Sequence, residues 1–163
     1  MNGDPAAGWL EITRVFDAPV EDLWAAWTDP EQFALWYGPE GASIPLARFE
    51  DRLGGSRFVC MEMNPPQGTV RMFLAGEYLE YEPLRRLVYT EVPADSEGAR
   101  LDSPDHDGAA PTGETRVVVE FADRGGSTTV HLRHEGVPAG SPGEAGWLMA
   151  LGALGERLSD RSG

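Results

Sequence analysis

Residues 24–41 read WAAWTDPEQFALWYGPEG. Three of the chain's five tryptophans fall here, astride Pro30. Either one aromatic helix is broken at the proline or two short helices meet there. The flanking residues favour two. Pro19 suits a first helical turn, where its missing N–H is not needed. Val20, Leu23, Trp24 and Trp27 then recur at helical spacing. Asp29 can cap a second helix, with Pro30 at its first position and Gln32 three residues past the cap. Phe33 and Trp36 lie three apart on it, and Gly38-Pro39 closes it. The apolar faces are too short and one-sided to span a bilayer.

Outward from this pair, the signal changes period. Upstream, WLEITRVF (residues 9–16) alternates: Leu10, Ile12 and Phe16 share one face, Glu11 and Thr13 the other, which predicts a strand. Arg14 breaks the apolar row, as a strand-end residue or an ion-pair partner does. Downstream, a weak strand over Ile44–Phe49 leads to a Gly54-Gly55 turn. Five strands are then predicted: Arg57–Met63, apolar on both faces; Thr69–Tyr81, with Val70, Met72, Leu74 and Tyr78 on one side; Leu87–Val92; Thr115–Phe121; and Thr128–His134. ADRGGS joins the last two, and its Gly125-Gly126 suits a two-residue hairpin turn. Residues 93–114 hold one large apolar side chain, Leu101, and an excess of acid, which predicts a mobile solvated loop. At the end Trp147, Leu151, Leu154 and Leu158 trace one helix face, after a Ser141–Glu144 capping pattern. The expectation is an α+β domain over residues 1–163, with an antiparallel sheet of about six to seven strands covering the long terminal helix.

Composition removes whole classes of function. With 27 acidic and 13 basic residues the formal charge is −14, which opposes binding to phosphate backbones. All the basic residues are arginine, isoleucine occurs only at 12 and 44 and asparagine only at 2 and 64, a bias that reads as a GC-rich bacterial genome. No run is long enough to cross a membrane and the first residues lack a signal-peptide pattern, so no membrane insertion and a cytoplasmic location are expected. The single cysteine, Cys60, excludes an intrachain disulfide. It lies in an apolar strand with no base near it in sequence, and reads as a small core hydrophobe.

Catalytic signals are sparse. His131 and His134 form an H-x-x-H, but in a strand residues three apart face opposite ways. His106 falls in the acidic loop, so no metal set converges and no cofactor is expected. His134 reads as a satisfied core-edge histidine, with a polar contact inside a cavity as the sharper alternative. Glu62, Glu80 and Glu91 lie near apolar rows and are the candidate acid–base carboxylates, although solvent-facing positions are commoner for charged residues. There is no phosphate-binding glycine loop and no nucleophile elbow.

The order of elements and a set of short words resemble a known family. ITRVFDAP (12–19), LWAAWTDPEQFALWYGP (23–39), EDRLGGSRF (50–58), GEYLEYEPLRRLVYTE (76–91), STTVHLRHEGVP (127–138) and the terminal Gly-Trp with spaced leucines occur in sequence. Together they resemble the helix-grip superfamily called SRPBCC or START-like, in its branch of homologues of the heat-shock-protein ATPase activator. The resemblance covers nearly the whole chain apart from the acidic loop. It implies an apolar cavity between a curved sheet and the last helix, where superfamily members hold hydrophobic molecules. The lining residues expected here are Trp24, Trp36, Phe58, Met72, Leu74, Tyr78, Tyr89, Val119, Leu132, His134, Trp147 and Leu151. Core packing is the plainer account of the aromatics among them. The function expected is binding of a small hydrophobic molecule by a monomer or homodimer. The alternatives are a cofactor-free cyclase- or hydrolase-like enzyme using the same cavity, and a chaperone-interaction module. No catalytic constellation is visible, which leans away from an enzyme.

Overall fold

In the computed structural model of the chain, residues 8–38, 41–64, 66, 68–97, 99 and 114–162 are described, without the side chains of 142 and 159–162. The acidic loop expected at 93–114 falls mostly outside the described residues. The elements run β1 (Trp9–Phe16), α1 (Val20–Thr28), α2 (Pro30–Trp36), β2 (Ala42–Phe49), β3 (Ser56–Met63), β4 (Val70–Glu82), β5 (Arg86–Ala94), β6 (Thr115–Asp123), β7 (Thr128–Pro138) and α3 (Pro142–Ser162). The strands form one antiparallel sheet in the order β1-β7-β6-β5-β4-β3-β2. This is the helix-grip arrangement, with α3 packed against β1, β7 and α2.

The aromatic stretch is two helices. The Asp29 side chain accepts from the Glu31 N–H and Pro30 opens α2. Trp27 is fully buried, at the edge of the Trp36 ring, and the Trp36 indole donates to the Ala26 carbonyl at 3.0 Å. The tryptophans therefore lock the two helices to each other and to the core.

The words of the sequence have physical causes. In EDRLGGSRF, the Glu50 carboxylate accepts from the Ser56 N–H and hydroxyl, and a Cβ at Gly55 would stand 2.0 Å from the Glu50 carbonyl oxygen. In GEYLEYEP, a Cβ at Gly76 would lie 1.8 Å from the Thr90 carbonyl oxygen, just before a register shift between Tyr78 and Glu80. Only glycine permits either approach. The start of α3 differs from the expected capping box. The Ser141 hydroxyl turns back to the Pro138 carbonyl, and Glu144 reaches the Gly140 N–H instead.

The α3 stripe is buried as the spacing predicts: Trp147, Leu151, Leu154 and Leu158 all belong to the core, with Ala150. Two of the four glycines within this helix, Gly152 and Gly155, divide their roles. A Cβ at Gly155 would come 2.8 Å from Arg14 Nη2, so the exposed arginine of β1 lies along that notch. Gly152 borders a surface groove between α2 and α3.

Candidate functional site

Strand alternation puts Arg57, Val59, Met61 and Met63 on the inner face of β3. The sequence reading of β3 as apolar on both faces is corrected here: Arg57 is 3% exposed and lies inside the core. Its guanidinium carbon lies 3.6 Å from the Tyr89 ring centroid, 4.4 Å from Phe49, 5.3 Å from Phe33 and 5.7 Å from Tyr78. Stacking of this kind suits a planar, weakly hydrated cation. Among the described residues Nε and Nη2 make no hydrogen bond of ordinary geometry, while Nη1 lies 3.8 Å from Glu91 Oε2. Burial alone would lower the Arg57 pKa, but the Tyr89 and Tyr78 phenols and Glu91 hold it above its usual value.

Glu91, from β5, is 5% exposed and joins this cation to a second group of side chains. Tyr37, just past α2, donates its phenol to Glu91 Oε2 at 3.4 Å. Burial, with the Glu91 charge added, pushes the Tyr37 phenol well above its usual pKa, so it stays protonated. His134 Nε2 lies 3.8 Å from Glu91 Oε1 and 2.8 Å from Thr115 Oγ1, and the Trp147 indole N–H donates to His134 Nδ1 at 3.0 Å.

An indole nitrogen can only donate, so Nδ1 is the acceptor and the proton of the neutral ring sits on Nε2. It goes to Thr115 Oγ1, whose hydroxyl donates to the Glu91 carbonyl at 3.3 Å. Burial lowers the His134 pKa and the nearby Glu91 opposes that shift. The ring is neutral, fixed in one tautomer and engaged at both nitrogens.

Above this polar floor lies a cleft of about 560 Å³. Its walls are Met61 and Met63 of β3, Met72 and Leu74 of β4, Val137 of β7, and Gly143, Gly146, Trp147, Met149 and Ala150 along the first half of α3. Tyr37, Gly38, His134 and Ala145 complete it. Four of the chain's five methionines, Met61, Met63, Met72 and Met149, line this cleft. Thioether side chains adapt their shape to a guest. Gly146 faces open space, with nothing within 4 Å of a Cβ built there.

Four of the twelve residues expected to line a cavity border this cleft: Met72, Leu74, His134 and Trp147. Trp36 borders the adjoining groove between α2 and α3, of about 390 Å³, which shares Tyr37, Gly38 and Met149 with the cleft. Tyr78 and Tyr89 surround Arg57, and Val119, Leu132 and Leu151 are buried in the core. Trp24 packs edge-on against Tyr81 and Phe121. Phe58 lies on the outer face of β3, stacked with Phe73. The sequence reading omitted Tyr37, Met61, Met63, Met149 and Arg57. Their signal was the shared parity of 57, 61 and 63 on β3 and an aromatic at the very end of α2.

Of the candidate carboxylates, only Glu91 reaches the interior. Glu62 pairs with Arg71 and Glu80 with Arg86 outside the core. His131 points away from His134, toward Glu11 and Glu120. Among the described residues no three His, Cys, Asp or Glu side chains converge as metal ligands, and no helix is long and apolar enough to cross a membrane. Cys60 is buried on the outer face of β3, where burial raises its thiol pKa.

Residues 17–159 match the family model described as Activator of Hsp90 ATPase homolog 1-like protein. Among solved structures, a Rhodobacter sphaeroides protein is 26% identical, with 97% of this chain and 96% of that chain covered and a TM-score of 0.74. A Chromobacterium violaceum protein is 24% identical over 93% of this chain and 97% of its own, also at 0.74. CalU16 from Micromonospora echinospora is 24% identical over 93% of this chain and 76% of its own, at 0.60. No curated protein matches the chain. At such identities the structural likenesses speak for the fold alone.

Proposed function

From the chain's membership of the Activator of Hsp90 ATPase homolog 1-like family, and from the cleft, we propose that the protein binds a small hydrophobic molecule between the sheet and the first half of α3. The observation that carries this reading is the cleft's composition: adaptable apolar walls over a few convergent polar groups, at a volume of about 560 Å³. That combination is characteristic of small-molecule sites. The helix-grip superfamily is one whose members typically hold hydrophobic ligands. Catalysis is less well supported, because His134 has both ring nitrogens engaged and is not free to take a substrate proton.

The experiment is a titration with Nile red, an uncharged apolar dye, followed by dye fluorescence and tryptophan quenching. Extraction and mass spectrometry of small molecules that co-purify with the native protein would run alongside. Saturable one-to-one binding that raises the melting temperature is expected, since a ligand held only by the folded state stabilises it. Absence of any saturable binding would overturn the reading.

A second reading has one observation in its favour. Leu35, Leu148 and Met149 are 57%, 50% and 48% exposed around the groove between α2 and α3. Exposed apolar side chains grouped in this way suit a protein contact. Loss of partner capture on Leu35→Ser and Leu148→Ser, with dye binding unchanged, would support it.

A further inference from the structure

The cleft has no cation of its own. Among the described residues no arginine borders it, and His134 is held neutral. Behind its polar lining stands the Arg57–Glu91 pair, and the two members do not meet that lining alike. The rings that hold Arg57 belong to Tyr89, Phe49, Phe33 and Tyr78, none of which lines the cleft. The other side chains that meet the Glu91 carboxylate, Tyr37 at Oε2 and His134 at 3.8 Å from Oε1, both line it. The buried pair is therefore a fixed dipole with its negative end toward the cleft.

Hydrogen bonding runs the same way. Tyr37 gives its proton to Glu91, so what its oxygen has left to offer is lone pairs. His134 has nothing to offer, since one nitrogen takes the Trp147 N–H and the other meets Thr115. The amino end of α3 also borders the cleft, and a helix start can attract anions. Here the Glu144 and Ala145 N–H groups already donate to the Ser141 carbonyl, and Glu144 puts a carboxylate in that first turn.

We infer that the cleft selects apolar molecules whose head group donates a hydrogen bond, a hydroxyl or an amine, and rejects those headed by a carboxylate. The donor meets the Tyr37 oxygen, which passes the polarisation on to Glu91. This rests on the binding reading above and narrows it to a ligand class.

The test uses decanol, decylamine and decanoate below their aggregation concentrations, each competing with Nile red at pH 7. Decylamine and decanoate carry equal and opposite charges, so their comparison separates the sign of the local field from the common cost of desolvating an ion. Working in about 0.5 M NaCl screens the pull of the chain's overall negative charge, since the screening length is then only a few ångströms. Decylamine and decanol should each displace the dye at concentrations at least about tenfold below decanoate. In Tyr37→Phe, decanol should weaken about two- to tenfold, the range for one lost hydrogen bond, and decanoate not at all. Decanoate binding as tightly as decylamine, or a Tyr37→Phe loss shared equally by decanol and decanoate, would overturn the inference and leave hydrophobic binding standing. Failure of all three to compete would overturn the binding reading itself, and the inference with it.

Discussion

Replacing Gly146 by leucine sets stability and binding against each other. Gly146 lies on α3, borders the cleft and faces open space where a side chain would go. A glycine inside a helix is roughly 0.5–1 kcal/mol less favourable than a good helix former. The leucine meets no atom within 4 Å of its Cβ, so nothing local opposes that gain. For a chain of this size the gain corresponds to a rise of about 1–4 °C in melting temperature. The same isobutyl group occupies the room a guest needs. Overpacking costs of about 1–3 kcal/mol then fall on the complex alone, which weakens Nile red binding roughly 5- to 150-fold. The assay is a pair of melting curves without dye, followed by dye titrations of both proteins. A more stable variant that binds the dye as tightly as the native chain would refute the placement of the site. A variant that loses several degrees would refute the openness of the cleft at Gly146.

Four further outcomes are expected. Trp147→Phe removes the donor to a buried histidine nitrogen and should cost about 1–3 kcal/mol in urea unfolding, while the His134 pKa, followed by NMR, rises. Arg57→Met leaves the Glu91 carboxylate buried without its counter-charge and should cost about 3–5 kcal/mol; adding Glu91→Gln should recover part of that loss, and a purely additive double variant would argue against the pair. Because burial lowers the His134 pKa in the folded state, the unfolded chain binds this proton more readily below about pH 6.5. The associated stability is therefore fully present above that pH and is lost as pH falls toward the folded value. His134→Gln should flatten that part of the melting-temperature profile, and an unchanged slope would assign it to other groups. Gly76→Ala should prevent folding by collision with a backbone oxygen, whereas Gly155→Ala meets only the flexible end of Arg14 and should be neutral or slightly stabilising on thermal melting.

Much of the fold was legible because each element buries one face and says so by its period. The alternation in β1 and β7, the caps around Asp29 and Pro30, and the Trp147–Leu158 stripe all express one-sided burial. The site was less legible for the same reason. β5 is buried along almost its whole length, so polar–apolar alternation is silent about which face Glu91 takes. Arg57 opens a strand read as apolar on both faces, and its place in the interior is tenable because the rings of Phe33, Phe49, Tyr78 and Tyr89 and the Glu91 carboxylate gather around it, which strand periodicity does not report. The cleft is a volume left unfilled between β3, β4 and α3. Periodicity reports which side chains face inward, not whether they meet.

The methionines give the cleft a chemical vulnerability as well as a flexible lining. Met63, Met72 and Met149 are 36%, 49% and 48% exposed, which opens these side chains to dissolved peroxide. Oxidation to the sulfoxide turns a supple apolar side chain into a polar, chiral one. Because these residues share one cleft, mild oxidation would make its walls wettable while Leu10, Trp27, Leu87 and Leu132, which are fully buried and carry no sulfur, stayed unaltered. The proposed capacity to hold an oily guest is thus what an oxidant would remove first, and what a methionine sulfoxide reductase could restore.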